Sequence, residues 1–262
     1  MTASEVWEEK MGVTVEMGVL AGKGAVVTGG SRGIGRAIVQ RLAADGATVV
    51  FNFARSVDQA AEVEQGVRDA GGRAHAVQID LAASEAVDEL MACADEYLDS
   101  FNILVNNAVL NYAPAPIADT SDEQYDAVMA VNTKTTFRTM RHAARTMRDD
   151  GRIINISSLA TTRHAAKSGL YAASKGAIEQ LTKVAALELG GRGITVNVIC
   201  PGATETDLLR HHNSEAELEQ LAKQTPLGRL GLPNDIADVV ALLSSPDGRW
   251  LTGQIIHATG GL

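Results

Sequence analysis

Seven short apolar runs, separated by stretches of helical periodicity, limit the possible folds more than any other feature of this sequence. They are AVVT at 25–28, TVVFNF at 48–53, AHAVQI at 74–79, NILVN at 102–106, RIINIS at 152–157, ITVNVI at 194–199 and QIIHA at 254–258. Several are apolar almost without a break and rich in β-branched residues, which suits strands covered on both faces of a parallel sheet. Between them, segments 34–45, 57–70, 84–98, 121–148, 170–189 and 234–245 carry apolar residues at helical spacing. Parallel neighbours need crossover connections, usually helical and right-handed. The expected architecture is α/β: one doubly wound sheet of about seven mainly parallel strands, flanked by helices.

Local chemistry agrees with these boundaries. Ser121 and Gln124 form a capping-box pattern at the start of the fourth helical segment. Gly46, Gly71–Gly72 and Gly190–Gly191 follow helical segments, where left-handed C-caps are expected. Residues 1–20 read as an N-terminal arm, and 21–262 as a single domain with a lid around 203–232, where the strand–helix rhythm breaks. With 32 acidic against 23 basic residues the net charge is −9, and no basic stripe points to nucleic acid. No apolar run reaches membrane-spanning length, and the acidic arm lacks the apolar core of a secretory signal. Cys93 and Cys200 stand outside any Cys-x-x-Cys or zinc spacing, so a reduced, cytoplasmic protein is expected.

The first strand leads into Thr28-Gly29-Gly30-Ser31-Arg32-Gly33-Ile34-Gly35 and then a helix. Glycines there permit a tight turn and let a pyrophosphate approach the backbone, while the helix N-terminus offers unpaired N–H groups. After the second strand come Arg55 and Ser56, without the acid that usually binds the ribose 2′-hydroxyl of NAD. Arg32 and Arg55 are instead suited to embrace a 2′-phosphate, so NADP(H) is expected in preference to NAD(H). Two solvated surface arginines are the plainer alternative.

Tyr171 and Lys175 lie four residues apart on one helix face, where an ammonium favours the phenolate and makes the tyrosine usable in proton transfer. Ser158 follows the fifth apolar run, at the carboxyl end of a strand, where ligands bind in parallel sheets. Its hydroxyl is placed to polarise a carbonyl; Ser157 beside it reads as structural, although the sequence leaves the two interchangeable. Asn132 sits inside a helical segment, where its amide holds a water, bends the helix, or is a satisfied boundary group. The adjacent His211 and His212 lack partner ligands, so no metal is expected.

Together TGGSRGIG, NNA at 106–108, Asn132, Ser158, YAASK at 171–175 and PG at 201–202 resemble, in order and spacing, the short-chain dehydrogenase/reductase family over about residues 20–262. The resemblance implies a Rossmann-type fold and a catalytic tetrad of Asn132, Ser158, Tyr171 and Lys175. In it Tyr171 is the general acid/base, Ser158 polarises the carbonyl, Lys175 binds ribose and tunes Tyr171, and Asn132 anchors a relay water. It also implies that Gly29 through Ile34 wrap the phosphates, that Asp80 and Leu81 flank adenine, and that Asn107 approaches ribose. Thr204 and Thr206 would clasp the nicotinamide carboxamide. An arginine before the second loop glycine, with no acid after the second strand, again implies NADP(H).

Two departures stand out: Val109 replaces a glycine after NNA, and Thr259 stands where an acid is frequent. The branched Val109 excludes positive φ and narrows the expected substrate pocket, which is lined by Val109 to Tyr112, by Leu159 to Ser168 with His164 among them, and by the 203–225 segment. The activity expected is hydride transfer between nicotinamide and the carbonyl or alcohol of a free small molecule. A 3-oxoacyl-carrier-protein reductase is the alternative, weakened by Asp149–Asp150 in a position often basic, though Arg192 remains for docking. A nucleotide-binding regulator is the non-enzymatic alternative. The family resemblance further implies a homotetramer built on the long helices and the C-terminal segment, with a dimer possible if Thr259 weakens the latter contact.

Overall fold

The computed structural model describes residues 18–110 and 113–262. Most of the expected arm, and Tyr112 of the expected pocket, lie outside the described residues. All seven apolar runs are strands: β1 (Gly24–Val27), β2 (Thr48–Phe53), β3 (Arg73–Gln78), β4 (Ile103–Asn106), β5 (Arg152–Ile156), β6 (Thr195–Pro201) and β7 (Ile255–Ala258). They form one sheet in the order β3-β2-β1-β4-β5-β6-β7, and every pairing is parallel. The helices that cross over are α1 (Gly33–Ala44), α2 (Val57–Asp69), α3 (Ala86–Tyr97), α4 (Asp122–Val128), α5 (Thr135–Thr146), α6 (Gly169–Leu189), α7 (Asp207–His212), α8 (Glu215–Gln224) and α9 (Pro233–Ser244).

Period-two alternation sorts the strand residues between two cores. Ala25 and Val27, with Val49 and Phe51, face Ile38, Leu42, Val63, Val240 and Leu243 of α1, α2 and α9. Val26, Val50, Leu104 and Ile153 face Leu90, Met91, Met140, Ala143 and Leu189 of α3, α5 and α6. Both faces are covered, which is why the runs are nearly continuous in apolar character. Chain order reverses between β1 and β4, and the crevice at the carboxyl ends of these strands is the expected ligand site in such a sheet.

Two local expectations need correction. The helix expected over 121–148 is interrupted: α4 begins with the Ser121–Gln124 capping box, then Met129–Lys134 forms a π-helical turn before α5. The wider turn satisfies Asn132 and Thr133 against α6 rather than within their own helix. Gly46 and Gly71 have the expected positive φ, but Gly190 and Gly191 do not. There α6 tightens into a 3₁₀ turn over Gly190–Arg192, and Gly193 takes the left-handed position instead.

Candidate active site

The turn after β1 is built from backbone and held in shape by three buried or half-buried polar side chains. Asn52 of β2 accepts from the Gly29 N–H through Oδ1 at 2.9 Å and donates through Nδ2 to the Ile79 carbonyl. Asn107 donates through Nδ2 to the Thr28 and Gly29 carbonyls at 3.0 Å, and Thr28 Oγ1 accepts from the Asn107 and Ala108 N–H groups. Gly29 has φ of +70°, and a Cβ on Gly35 would lie 2.1 Å from the Gly29 carbonyl oxygen. The turn therefore packs too closely on α1 for any side chain at residue 35. Ser31 is buried and Arg32 exposed. Arg32, the N-cap of α1, makes no side-chain cap, and no acid lies in the first turn of that helix. Asn52 was not singled out from the sequence; the signal was an amide inside the apolar run TVVFNF.

Arg55 and Ser56 follow β2 at the surface, and neither the Arg32 nor the Arg55 guanidinium has an ion-pair partner among the described residues. Asp80 is exposed and accepts from the Ala82 N–H, whereas the Leu81 side chain is buried.

The second cluster lies where β5 gives way to α6. Ser158 is half-buried, and its Oγ accepts from the Ala160 N–H at 3.2 Å. Ser157 points the other way into the core, donating to Glu179 Oε1 at 2.7 Å. The structure thus distinguishes two serines that the sequence left interchangeable. Lys175 is buried, donates from Nζ to the Ile156 carbonyl at 2.9 Å, and lies 5.9 Å from the centre of the Tyr171 ring. Burial pulls the pKa of its ammonium down to about 8, with Cys200 acting in the opposite sense. Cys200 itself is pushed up to about 12, first by burial and then by the Glu179 carboxylate.

Asn132 is fully buried in the π turn. Its Oδ1 accepts from the Leu110 N–H at 2.8 Å, and its Nδ2 donates to Ser174 Oγ at 3.1 Å. Ser174 in turn donates to the Tyr171 carbonyl. The amide therefore ties the loop after β4 to the helix carrying Tyr171 and Lys175. Deeper still, Thr139 donates to Asn106, Asn106 to Asn155, and Asn155 to Thr182, fastening α5, β4, β5 and α6 together. Sequence reading missed this ladder, because each member alone looks like an ordinary polar residue near a strand or helix.

A single cavity of about 310 Å³ joins the two clusters. Ile34 and Asn107 reach it from the phosphate side, Ser158, Tyr171 and Lys175 from the other, and Pro201, Thr204 and Thr206 from the segment after β6.

The family model described as enoyl-(acyl carrier protein) reductase matches residues 29–262. A short-chain type dehydrogenase/reductase of Picea abies is 39% identical, over 92% of this chain and 93% of its own. The chain belongs to the short-chain dehydrogenase/reductase family. An uncharacterized oxidoreductase of Methylorubrum extorquens is 41% identical, over 94% of this chain and all of its own. The solved structure of the angucycline C-6 ketoreductase LanV with bound NADP superposes with a TM-score of 0.87, at 40% identity, covering 93% of this chain and 96% of that one.

Within this short-chain dehydrogenase/reductase, Val109 lines the cavity without positive φ, so the substitution for glycine is accommodated by the backbone. Leu159 and His164, expected in the pocket wall, do not line the cavity: Leu159 belongs to a 3₁₀ turn, and His164 is exposed beside the Ala160 carbonyl. Ser168 of the same stretch does line it, as do Leu208, Leu209 and Asn213 of the expected 203–225 segment, and Pro114 joins them unforeseen. Thr259 donates to the Leu262 carbonyl at 2.9 Å, bracing the C-terminal turn.

Proposed function

We propose that this protein is an NADP(H)-dependent oxidoreductase that transfers a hydride between nicotinamide and the carbonyl or secondary alcohol of a small molecule. The observation that carries the reading is the single cavity bringing Ser158, Tyr171 and Lys175 to the glycine turn. The residues fit the cofactor: a turn with no room for a side chain at Gly35, an uncapped helix start, and two guanidinium groups with no ion-pair partner among the described residues. Gly29, Ser31, Gly33, Ile34 and Gly35 would hold the phosphates, with Arg32, Arg55 and Ser56 at the 2′-phosphate. Asp80 and Leu81 would border adenine, Asn107 and Lys175 the ribose, and Thr204 and Thr206 the nicotinamide. When bound, NADPH supplies the hydride.

The chain's own residues do the rest. Ser158 donates a hydrogen bond to the substrate carbonyl and polarises it. Tyr171 gives its phenolic proton to the same oxygen and is left as the phenolate, and a hydride supplied by bound NADPH would complete the conversion of C=O to the alcohol. Lys175 holds Tyr171 toward the phenolate by charge. Asn132 keeps the loop after β4 in register with α6. Segment 203–232 serves as lid, in keeping with Leu208, Leu209 and Asn213 at the cavity wall.

A free substrate is favoured over a carrier-bound acyl chain. Arg192, the remaining basic candidate for carrier docking, donates to Asp149 Oδ1 at 2.8 Å and to the Ala144 and Met147 carbonyls. A guanidinium so engaged has little left for an acidic partner. NADPH consumption measured against ketones, aldehydes, quinones and acyl thioesters tests the reading, with turnover expected on free ketones. Tight NADPH binding without turnover on any of them would favour a nucleotide-binding regulator.

A homotetramer completes the proposal. Leu187 is 86% and Val184 53% exposed on α6, Phe137 is exposed on α5, and Trp250 is 91% exposed beyond α9. Large apolar side chains left in water on the long helices and in the C-terminal segment suit interfaces of closed symmetry. Sedimentation at micromolar concentration tests it; an active monomer would sink it. Cys93 and Cys200 are both free thiols, which suits a cytoplasmic location, and among the described residues no helix is long and apolar enough to cross a membrane.

A further inference from the structure

Asn52 interrupts an otherwise apolar strand, between the two segments that a bound nucleotide would span. Alternation along β2 puts it on the face of Val50, which packs into the core that holds Ile79 and Leu81. A valine would suit such a place, and a buried amide is costly there unless it is hydrogen-bonded. Asn52 is 2% exposed. Its hydrogen bonds run sideways across the sheet, because β2 lies between β1 and β3.

On the β1 side, Asn52 takes two consecutive N–H groups of the turn. The Gly29 N–H donates to its Oδ1 at 2.9 Å, and the Gly30 N–H to its backbone carbonyl at 3.0 Å. Both donors are thereby spent within the sheet, so the N–H groups left to a phosphate are those at the start of α1. Gly29 then serves the phosphates through the shape of the turn. On the β3 side, Nδ2 donates to the Ile79 carbonyl at 2.9 Å, one residue before Asp80. The rest of that stretch is held from α5, where Thr135 donates to the Leu81 carbonyl and Arg138 to the Ser84 carbonyl. Of these three side chains, Asn52 alone also bonds to the turn.

We propose that Asn52 is a positioning residue for NADP(H): its amide fixes the turn after β1 against the stretch after β3, so that a nucleotide seated at Asp80 and Leu81 delivers its 5′-phosphate to the start of α1. This rests on the cofactor placement proposed above and adds to it a residue that acts through the backbone. Asn102 supplies a matched control. It is likewise buried, and its Oδ1 accepts from the Gly24 N–H at 3.1 Å, at the opposite end of β1. It braces the edge where the strands begin and touches neither the turn nor the stretch after β3.

Two probes that differ only in the 5′-phosphate test the inference: 2′,5′-ADP and adenosine 2′-monophosphate. Each is titrated calorimetrically into the full-length protein, with NADPH titrated alongside. In the parent the 5′-phosphate is expected to raise affinity on the order of tenfold to a hundredfold, the scale of a charged hydrogen bond. In Asn52→Ser a single hydroxyl is too short to bond both partners. That gain should shrink about tenfold and NADPH should weaken in step, while adenosine 2′-monophosphate stays within about threefold of the parent. Asn102→Ser should lower the urea midpoint yet keep the full gain. Asn52→Thr, whose β-branched side chain suits a strand, carries the measurement if Asn52→Ser does not fold. Equal loss of both probes in the Asn52 variants, or an undiminished gain, would overturn the role given to Asn52. So would an equal shrinkage in Asn102→Ser, since any weakening of β1 would then suffice. Failure of the parent to bind 2′,5′-ADP would instead overturn the cofactor placement, and this inference with it.

Discussion

The turn after β1 and the junction of β5 with α6 meet in one cavity, yet they are constructed on opposite principles. At the first, function depends on atoms that are missing: a Cβ on Gly35 would collide with the Gly29 carbonyl, and Asn52, Asn107 and Thr28 hold the bare backbone in place. At the second, the proposed chemistry rests on two side chains, Ser158 and Tyr171, beside buried polar groups. One region is broken by adding a methyl group and the other by removing a hydroxyl. The supports differ in kind as well. The turn is fastened to neighbouring strand ends through side chain–backbone bonds, whereas α6 adds to such bonds side-chain pairs such as Asn132–Ser174 and Ser157–Glu179.

The sharpest test of this contrast is Tyr171→Phe. It should lower turnover about 10²–10⁴-fold, the usual contribution of a positioned proton donor, while NADPH titration gives near-native affinity. Parallel loss of affinity would mean that the two regions are not separable. Next in size, Arg55→Ala or Arg32→Ala should weaken NADPH binding by about 1.5–3 kcal/mol, the scale of a charged hydrogen bond, and leave NADH binding nearly unchanged. Equal losses for both cofactors would remove the arginines from the 2′-phosphate.

Gly35→Ala should destabilise the fold by about 1–3 kcal/mol through overpacking and abolish tight NADPH binding, as read from urea unfolding and cofactor titration. Gly66→Ala makes the counterpart, because a Cβ there meets nothing within 4 Å. It lies inside α2, so alanine should raise stability by roughly 0.5–1 kcal/mol. If both glycines respond alike, the close approach at the turn is not what selects glycine there.

Lys175 gives a smaller effect confined to alkaline solution. Burial lowers its folded value to about 8 from an ordinary 10.5, so between these values the unfolded chain binds more protons than the folded one. Stability contributed through this group therefore rises with pH from about 8 to 10.5, the burial cost being present in full below that window. Lys175→Met should lack this part of the rise when urea midpoints are compared across that range. An unchanged slope would show that the folded ammonium does not release its proton early.

Much of the fold was legible in the chain. Short apolar, β-branched runs suit covered strands, and the helical segments between them suit parallel order, so β1 to β7 appear where the apolar runs stand, the five inner strands almost wholly buried and the edge strands β3 and β7 less so. Glycine spacing marked the tight turn after β1, and the Tyr171–Lys175 interval placed both residues on one face, because local geometry and short-range periodicity are properties of consecutive residues. The division of 121–148 by a π turn was not legible, since what stabilises it is Asn132 and Thr133 bonding to Ser174, about forty residues away along the chain. The same holds for the choice between Ser157 and Ser158, decided by Glu179, and for the cavity wall, which takes in Pro114 but not Leu159 or His164. Sequence determines which residues can form strand, turn or helix; which polar groups satisfy one another, and which apolar side chains face a shared cavity, depends on partners that only the folded chain brings together.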